Sequence, residues 1–162
     1  MKVLELFAGT RSIGKAFEKR GHDVFSVEWN RDFENINLYA DIGELTAQDI
    51  ITRFGKPDVI WASPDCSTYS IAAISHHRQK EDNGNLQPVS EYAKFCDKVN
   101  KHVIELIKEL KPAYWFIENP RGGATKNEFH ARFAPIYSHI LSIWGYKNET
   151  YGYMDESSRT AF

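Results

Sequence analysis

Short apolar runs alternate with amphipathic stretches from the first residue onward, and this alternation constrains the fold more than any other feature of the chain. Val3-Leu4-Glu5-Leu6-Phe7 reads as a strand closed by Ala8-Gly9. Ile13, Ala16 and Phe17 recur at helical spacing, and Gly21 stands where a C-terminal cap belongs. Val24 to Val27 reads as a second strand and Leu38-Tyr39-Ala40 as a short third. Thr46 to Phe54 reads as a helix with Ile50, Ile51 and Phe54 on one face, followed by Gly55, and Asp58 to Ala62 as a fourth strand. Ser90 caps the clearest helix, whose stripe of Tyr92, Phe95, Cys96, Val99, Val103, Leu106, Ile107 and Leu110 is stopped by Pro112. Tyr114-Trp115-Phe116-Ile117 reads as a fifth, buried strand. Phe129, Phe133, Ile136, Tyr137, Ile140 and Leu141 mark a last helix, and a strand is expected from Tyr146. This order predicts an α/β fold: a mostly parallel sheet with helices on both faces. At 162 residues the chain is long enough for one core, so a single domain over 1–162 is expected.

Composition narrows the function classes. Twenty Lys and Arg against 22 Asp and Glu give a net charge of −2, which excludes a strongly basic nucleic-acid coat. Any nucleic-acid contact must come from a local patch. His76-His77-Arg78-Gln79-Lys80 is the densest positive stretch and reads either as phosphate contacts or as a solvated loop. Arg121-Gly122-Gly123 and Lys126 carry the same two readings. Ser67 to Pro88 is polar, contains Asn83-Gly84-Asn85 and reads as a long mobile loop, a kind that is usually functional. The two cysteines make no disulfide framework and are expected to be reduced and intracellular. No apolar run approaches the about 18 residues of a membrane span, so no membrane partner is expected. Adjacent His76 and His77 make a poor ligand pair, and no metal is expected.

The turn Gly9-Thr10-Arg11-Ser12-Ile13-Gly14-Lys15-Ala16 admits three readings. It nearly fits a P-loop, but Ala16 has no hydroxyl for Mg²⁺. It can be a plain strand-to-helix turn that uses glycine for its backbone freedom. The third reading uses Glu28, which ends the second strand near the roughly 20-residue offset at which α/β nucleotide sites place an acid on ribose. A glycine turn plus that acid suits a nucleoside with a short anionic arm, which is the shape of S-adenosylmethionine. Its carboxylate would meet backbone N–H groups and Glu28 its ribose. Trp29 is then either a cover for the adenine face or a buried core residue.

Ser63-Pro64-Asp65-Cys66 follows the fourth strand and Glu118-Asn119-Pro120 follows the fifth. In open parallel sheets, ligands bind outside the carboxyl ends of strands. Cys66 on a strand-end loop is placed to react, whereas Cys96 in an apolar stripe is placed to pack. A thiolate that adds to a conjugated carbon, with a carboxylic acid on the ring nitrogen, makes the opposite carbon nucleophilic. That combination points to methylation of cytosine at C5. A small residue in a tight turn and an acid paired with Arg121 are the plain alternatives for Cys66 and Glu118.

Taken together, these residues resemble the DNA (cytosine-5) methyltransferases, especially short phage-type members. Leu6-Phe7-Ala8-Gly9-Thr10 is similar to the cofactor motif, with Arg11-Ser12 where most members have two glycines. Val27-Glu28-Trp29 resembles the ribose and adenine motif, and Ala40-Asp41-Ile42 the segment that touches the adenine amino group. Ser63-Pro64-Asp65-Cys66-Ser67 resembles the catalytic Pro-Cys motif, with Asp65 for a second Pro and Ser67 for Gln. Glu118-Asn119-Pro120 resembles the ENV motif with Pro for Val. Tyr151-Gly152 with Arg159 resembles the segment whose arginine contacts the cytosine.

The resemblance implies the Rossmann-like methyltransferase fold, and S-adenosylmethionine as cofactor with S-adenosylhomocysteine as product. It implies Cys66, Glu118 and Arg159 as catalytic. It implies a cofactor site of Phe7, Ala8, Gly9, Thr10, Arg11, Ser12, Glu28, Trp29, Asp41, Ile42 and Pro64. Ser67 to Pro88 would close over a flipped cytosine in DNA. The implied setting is the cytoplasm of a bacterial or phage-infected cell. Typical members continue with a target-recognition region and a final helix. Neither is visible here, so the C-terminal part is expected to be incomplete. The leading expectation is methyl transfer from S-adenosylmethionine to cytosine C5 through a Cys–C6 bond. The alternative is a silent or split module that needs a second chain to supply recognition.

Overall fold

A computed structural model describes residues 1–70, 73–82, 86–118, 141–142 and 151–152. The chain divides into two compact units: Met1–Pro64 with Lys98–Phe116, and Asp65–Asp97 with Ile117–Phe162.

The first unit is organised by a five-stranded sheet. Its strands are β1 (Lys2–Leu6), β2 (Asp23–Glu28), β3 (Leu38–Tyr39), β4 (Val59–Ala62) and β7 (Tyr114–Ile117), in the order β3-β2-β1-β4-β7. The pairs β1–β2, β1–β4 and β2–β3 are parallel. With helices α1 (Ser12–Glu18), α2 (Ala47–Arg53) and the later part of α4 (Glu91–Leu110) flanking it, this is the expected α/β architecture of a Rossmann-like methyltransferase domain. The predicted strands and helices up to Pro64 match within a few residues.

β1 lies in the middle of the sheet, and Val3, Leu4 and Leu6 are fully buried. Its register sets the core in levels. Val3 lies beside Val24 and Val59, and these three valines form a cluster packed by Phe17 and Phe116. Two residues on, Glu5 points to the same face of the pleat and lies beside Ser26. Glu5 is only 2% exposed. A carboxylate at that depth is costly unless hydrogen-bonded. Here Oε2 accepts from Ser26 Oγ at 2.7 Å and Oε1 from the Gly14 N–H at 2.7 Å. The second bond draws α1 onto the sheet so closely that a Cβ at position 14 would lie 2.4 Å from Glu5 Oε2. Glycine at 14 is thus a steric demand of the buried acid.

Two sequence expectations are corrected in this part of the fold. β7 is not a buried strand: Tyr114 is 53% exposed, Trp115 and Phe116 are half-buried, and only Ile117 is buried. The reason is its place in the order, at the edge of the sheet beside β4. The apolar stripe of α4 also differs at its start. Cys96, Val99, Val103, Leu106, Ile107 and Leu110 are buried as expected, but Tyr92 and Phe95 are exposed. Small Ala93 takes the packed position instead, giving a buried row of Ala93, Cys96, Asn100, Val103, Ile107 and Leu110 at helical spacing. α4 ends on Lys111, held at φ 47° with its N–H donating to Ile107 O at 3.0 Å, just before Pro112.

The second unit contains a single 3₁₀ turn at Ser67–Tyr69, helix α3 (Ile74–His77) and an antiparallel hairpin of β5 (Arg78–Lys80) and β6 (Leu86–Pro88). The first residues of α4 follow, with Ser90 Oγ accepting from the Ala93 N–H at 3.1 Å as the expected cap. Ser67 to Pro88 is therefore not a structureless loop. Short helices and short strands leave no sustained period, which is why the sequence hides them. The backbone of Leu141–Ser142 (β8) pairs antiparallel with Tyr151–Gly152 (β9). Leu141, read as the end of a helical stripe, instead opens a strand, because its backbone joins this ladder. The rest of that helical stripe, the start of the strand at Tyr146, Arg121 to Gly123, Lys126 and Arg159 lie outside the described residues.

Two substitutions test this account by urea denaturation. Gly14→Ala forces a methyl group against Glu5 and is expected to lower stability by about 2 kcal/mol, within the range for overpacked cores. Lys111→Gly relieves a left-handed residue at a helix end and is expected to raise stability by about 1 kcal/mol.

Candidate active site

The glycine turn is built from left-handed residues at alternate positions. Phe7, Gly9 and Arg11 have φ of 58°, 49° and 59°. A glycine takes this conformation readily, whereas a phenylalanine or an arginine needs an anchor. For Arg11 the anchor is visible. Its buried side chain turns inward, with Nε donating to Ser26 Oγ at 2.9 Å and Nη2 paired with Glu18. Ser26 Oγ in turn donates a hydrogen bond to Glu5 Oε2. Arg11, Ser26, Glu5 and the Gly14 N–H thus form one polar chain beneath the turn. Of the residues assigned to the cofactor motif, Arg11 offers its backbone to the turn while its side chain serves this chain. Thr10 and Ser12 remain exposed, their hydroxyls 2.9 Å apart.

Glu28 is 5% exposed at the end of β2. Its Oε2 accepts from the Gly9 N–H at 2.9 Å, and its Oε1 from the N–H groups of Trp29 and Asn30, both at 3.0 Å. One carboxylate therefore ties the tip of the glycine turn to the end of the neighbouring strand. Trp29 is 69% exposed, which rejects the core reading of that residue. Asp41 is exposed and caps a 3₁₀ turn at Ile42–Glu44, its Oδ1 accepting from the Gly43 N–H at 2.8 Å. Ile42 itself is buried, and Pro64, the last residue of this stretch of the unit, is buried too.

In the second unit, Cys66 has φ −98° and ψ 1°, in the sparsely populated bridge region common at reactive residues. Its carbonyl accepts from the Tyr69 N–H at 3.0 Å. The thiol is half-buried, while Cys96 is buried in the packed row of α4, as expected for a core cysteine. Burial pushes the Cys66 thiol up, and the negative charges of Asp65 and Glu118 push it further. Glu118 is thus close enough for its charge to reach Cys66. Asp65, where the resemblance leads one to expect proline, is held from two sides. Its Oδ1 accepts from the Ser67 N–H at 2.7 Å, and Tyr92 Oη donates to Oδ2. Burial works to raise the Asp65 carboxyl, but the bonds from Tyr92 and Ser67 and the charge of His77 outweigh it and hold it low. The same bond from Tyr92 to Asp65 pushes the tyrosine up to about 12.

Arg78 corrects a further expectation. The sequence offered it as a phosphate contact or a solvated residue, but it is 3% exposed and fully engaged inside the unit. His76, Gln79 and Lys80 are exposed. The sequence reading missed Glu5 and Ser26 beneath the glycine turn of the first unit, and Arg78, Tyr92 and Asp97 around the Cys66 turn of the second. Glu5 gave a signal, an acid in an otherwise apolar central strand. Among the described residues no group of three His, Cys, Asp or Glu gathers to hold a metal ion, and no helix is long and apolar enough to cross a membrane.

The family model of C-5 cytosine-specific DNA methylases matches residues 1–151. A protein of Frog virus 3 (isolate Goorha) described as a probable DNA (cytosine-5)-methyltransferase is 28% identical over 93% of this chain and 68% of its own length. Among solved structures, MoeE5 in complex with UDP-glucuronic acid and NAD is similar at TM-score 0.41 and 12% identity, over 82% of this chain and 60% of that one. UDP-glucuronic acid 4-epimerase from Bacillus cereus in complex with NAD is similar at TM-score 0.39 and 12% identity, over 80% and 61%. Likenesses that weak carry no argument about chemistry. The sheet order and the family match together define a Rossmann-like DNA methyltransferase domain. The chain belongs to the C-5 cytosine-specific DNA methylase family, whose members use S-adenosylmethionine and act on DNA.

The charge around Cys66 has a measurable consequence. Asp65→Asn removes one of the two carboxylates that raise the thiol, while keeping an acceptor for the Ser67 N–H. Alkylation of Cys66 by iodoacetamide, followed by peptide mass, is expected to show its pH midpoint moving to lower pH. An unchanged profile would mean that Asp65 does not act on the sulfur.

Proposed function

We propose that the chain transfers a methyl group from S-adenosylmethionine to C5 of cytosine in DNA, through a covalent bond between Cys66 Sγ and C6 of the base. The observation that supports this most is the half-buried Cys66 within reach of the Glu118 charge, at the two positions whose sequence resembles the family's catalytic motifs.

The residues of the first unit fit the cofactor. A carboxylate has about four acceptor positions. Glu28 uses three on backbone N–H groups. One position remains for a ribose hydroxyl, and the fixed carboxylate needs no reorganisation to accept it. Exposed Trp29 next to it offers an aromatic face for adenine. The backbone of Phe7 to Ser12 lines the turn, with Asp41, Ile42 and Pro64 as the remaining contacts. S-adenosylmethionine, when bound, supplies an electrophilic methyl group on a sulfonium.

The residues of the second unit perform the activation of the base. Cys66 gives up its proton and adds through sulfur to C6. The C5–C6 π pair moves into the ring, and Glu118, carrying a proton, donates it toward N3. C5 becomes nucleophilic and takes the methyl group. Loss of the C5 proton to water then re-forms the C5–C6 double bond and expels the Cys66 thiolate, while N3 returns its proton to Glu118. The two residues assist each other. A protonated Glu118 has lost the charge that raises Cys66, so the state that donates to N3 is also the state that favours the thiolate. Arg159 is assigned to hold the cytosine.

DNA containing 5-fluorocytosine has no C5 proton to lose, so it stops the reaction at the covalent stage. With labelled cofactor, the protein is expected to form an adduct stable in detergent. Cys66→Ser is expected to abolish it, and Glu118→Gln to slow it by about 10²-fold or more, as for loss of a general acid. Cofactor binding followed by calorimetry should change little in either variant. Tight cofactor binding without any adduct would overturn the proposal in favour of a silent module.

A further inference from the structure

Arg78 lies in the stretch that the sequence marks as loop, twelve residues beyond the thiol in sequence. Its side chain nonetheless has no solvent exposure. Its Nε donates to the Thr68 carbonyl at 3.1 Å, and Nη2 reaches Thr68 Oγ1 at 3.3 Å. Nη2 also donates to Asp97 Oδ1 at 2.5 Å, and Nη1 to Asp97 Oδ2 at 3.2 Å. The guanidinium lies over the ring of Tyr69, 4.0 Å from its centroid. Tyr69 Oη donates to Asp97 Oδ1 at 2.5 Å. One planar cation therefore grips both residues in the middle and at the end of the 3₁₀ turn that follows Cys66, and fastens that turn to α4 through Asp97.

The same hub fixes the hairpin. Arg78 opens β5, and the residue before it closes the other side: His77 O accepts from the Val89 N–H at 2.8 Å, and His77 Nδ1 lies 2.8 Å from Ser90 Oγ at the cap of α4. The turn carrying Cys66, the hairpin and the first turns of α4 are thus joined at one buried side chain. Arg is suited to this and Lys is not, because the joint needs a flat fork that bonds in several directions at once and stacks on an aromatic ring.

We propose that Arg78 is the positioning residue of the nucleophile: it sets the conformation of the Cys66 turn from beneath, without touching substrate. This rests on the reading of Cys66 as the nucleophile. With the hub gone, the sulfur leaves its half-buried place beside Asp65 and Glu118. Small reagents then reach it more easily, while the ordered addition to C6 suffers.

The test uses the full chain and two readouts that move in opposite directions. Arg78→Met keeps bulk and removes the fork. It is expected to raise the rate of Cys66 alkylation by iodoacetamide at pH 7.5 several-fold and shift its midpoint to lower pH. Adduct formation with 5-fluorocytosine DNA is expected to fall at least tenfold, with cofactor affinity within twofold of the parent. Arg78→Lys should restore little, and millimolar guanidinium added to Arg78→Ala should restore part of the adduct rate. Thr68→Val, a milder cut at one bond, is expected to move both readouts the same way by less, and serves if Arg78→Met does not fold. An alkylation rate and midpoint within twofold of the parent in Arg78→Met or, failing that, in Thr68→Val would overturn the proposal. If the parent chain itself forms no DNA adduct, the methyl-transfer reading fails, and the alkylation comparison still decides the role of Arg78.

Discussion

The hydrogen bonds to the Glu5 carboxylate, deep in the central strand, govern the first unit. An acid at 2% exposure must be satisfied, and it is met by the hydroxyl of Ser26 at the same level of the next strand and by the Gly14 N–H in the first turn of α1. That requirement brings α1 against the sheet, forces glycine at 14 and leaves Ser26 to be shared with Arg11. The left-handed turn above is then closed by Glu28 from the end of β2. Two acids, one buried in the sheet and one at its rim, hold the strand-to-helix turn from below and from the side.

The second unit uses charge differently. There Asp65 braces the backbone at Ser67 and, with Glu118, also raises the thiol. The bonds from Tyr92 and Ser67 hold the Asp65 carboxyl below its usual range, which favours the charge that acts on Cys66. In the proposed mechanism Glu118 is the partner that changes, since it hands a proton to N3 there. Asp65 owes its state to its surroundings, since the Ser67 N–H and the Tyr92 hydroxyl both donate to it.

The parallel sheet was legible because its strands are apolar runs bounded by glycine turns, and because the acid at 28 and the cysteine at 66 fall at strand ends. Cys96 was legible as core from its stripe. The exposure of β7 was not legible, since Tyr-Trp-Phe-Ile looks the same at an edge as in a centre. The start of α4 misled because Tyr92 and Phe95 are larger than Ala93, and size was read as burial. The hairpin and short helices of Ser67–Pro88 escaped because elements of three or four residues carry no period. Arg78 escaped for a related reason: a cation in a polar stretch reads as solvated until its partners, 10 and 19 residues away in sequence, are placed beside it. The likeness to the family was carried by motif order, which is insensitive to all of these.

One consequence of the paired carboxylates beside Cys66 concerns the idle protein. Oxidation to sulfenic acid proceeds through the thiolate. A sulfur held in its protonated form between uses is a slow target for peroxide and for stray electrophiles. On the proposed reading of Cys66 as the nucleophile, the aspartate beside it would keep the sulfur unspent until a base arrives to draw its reactivity out.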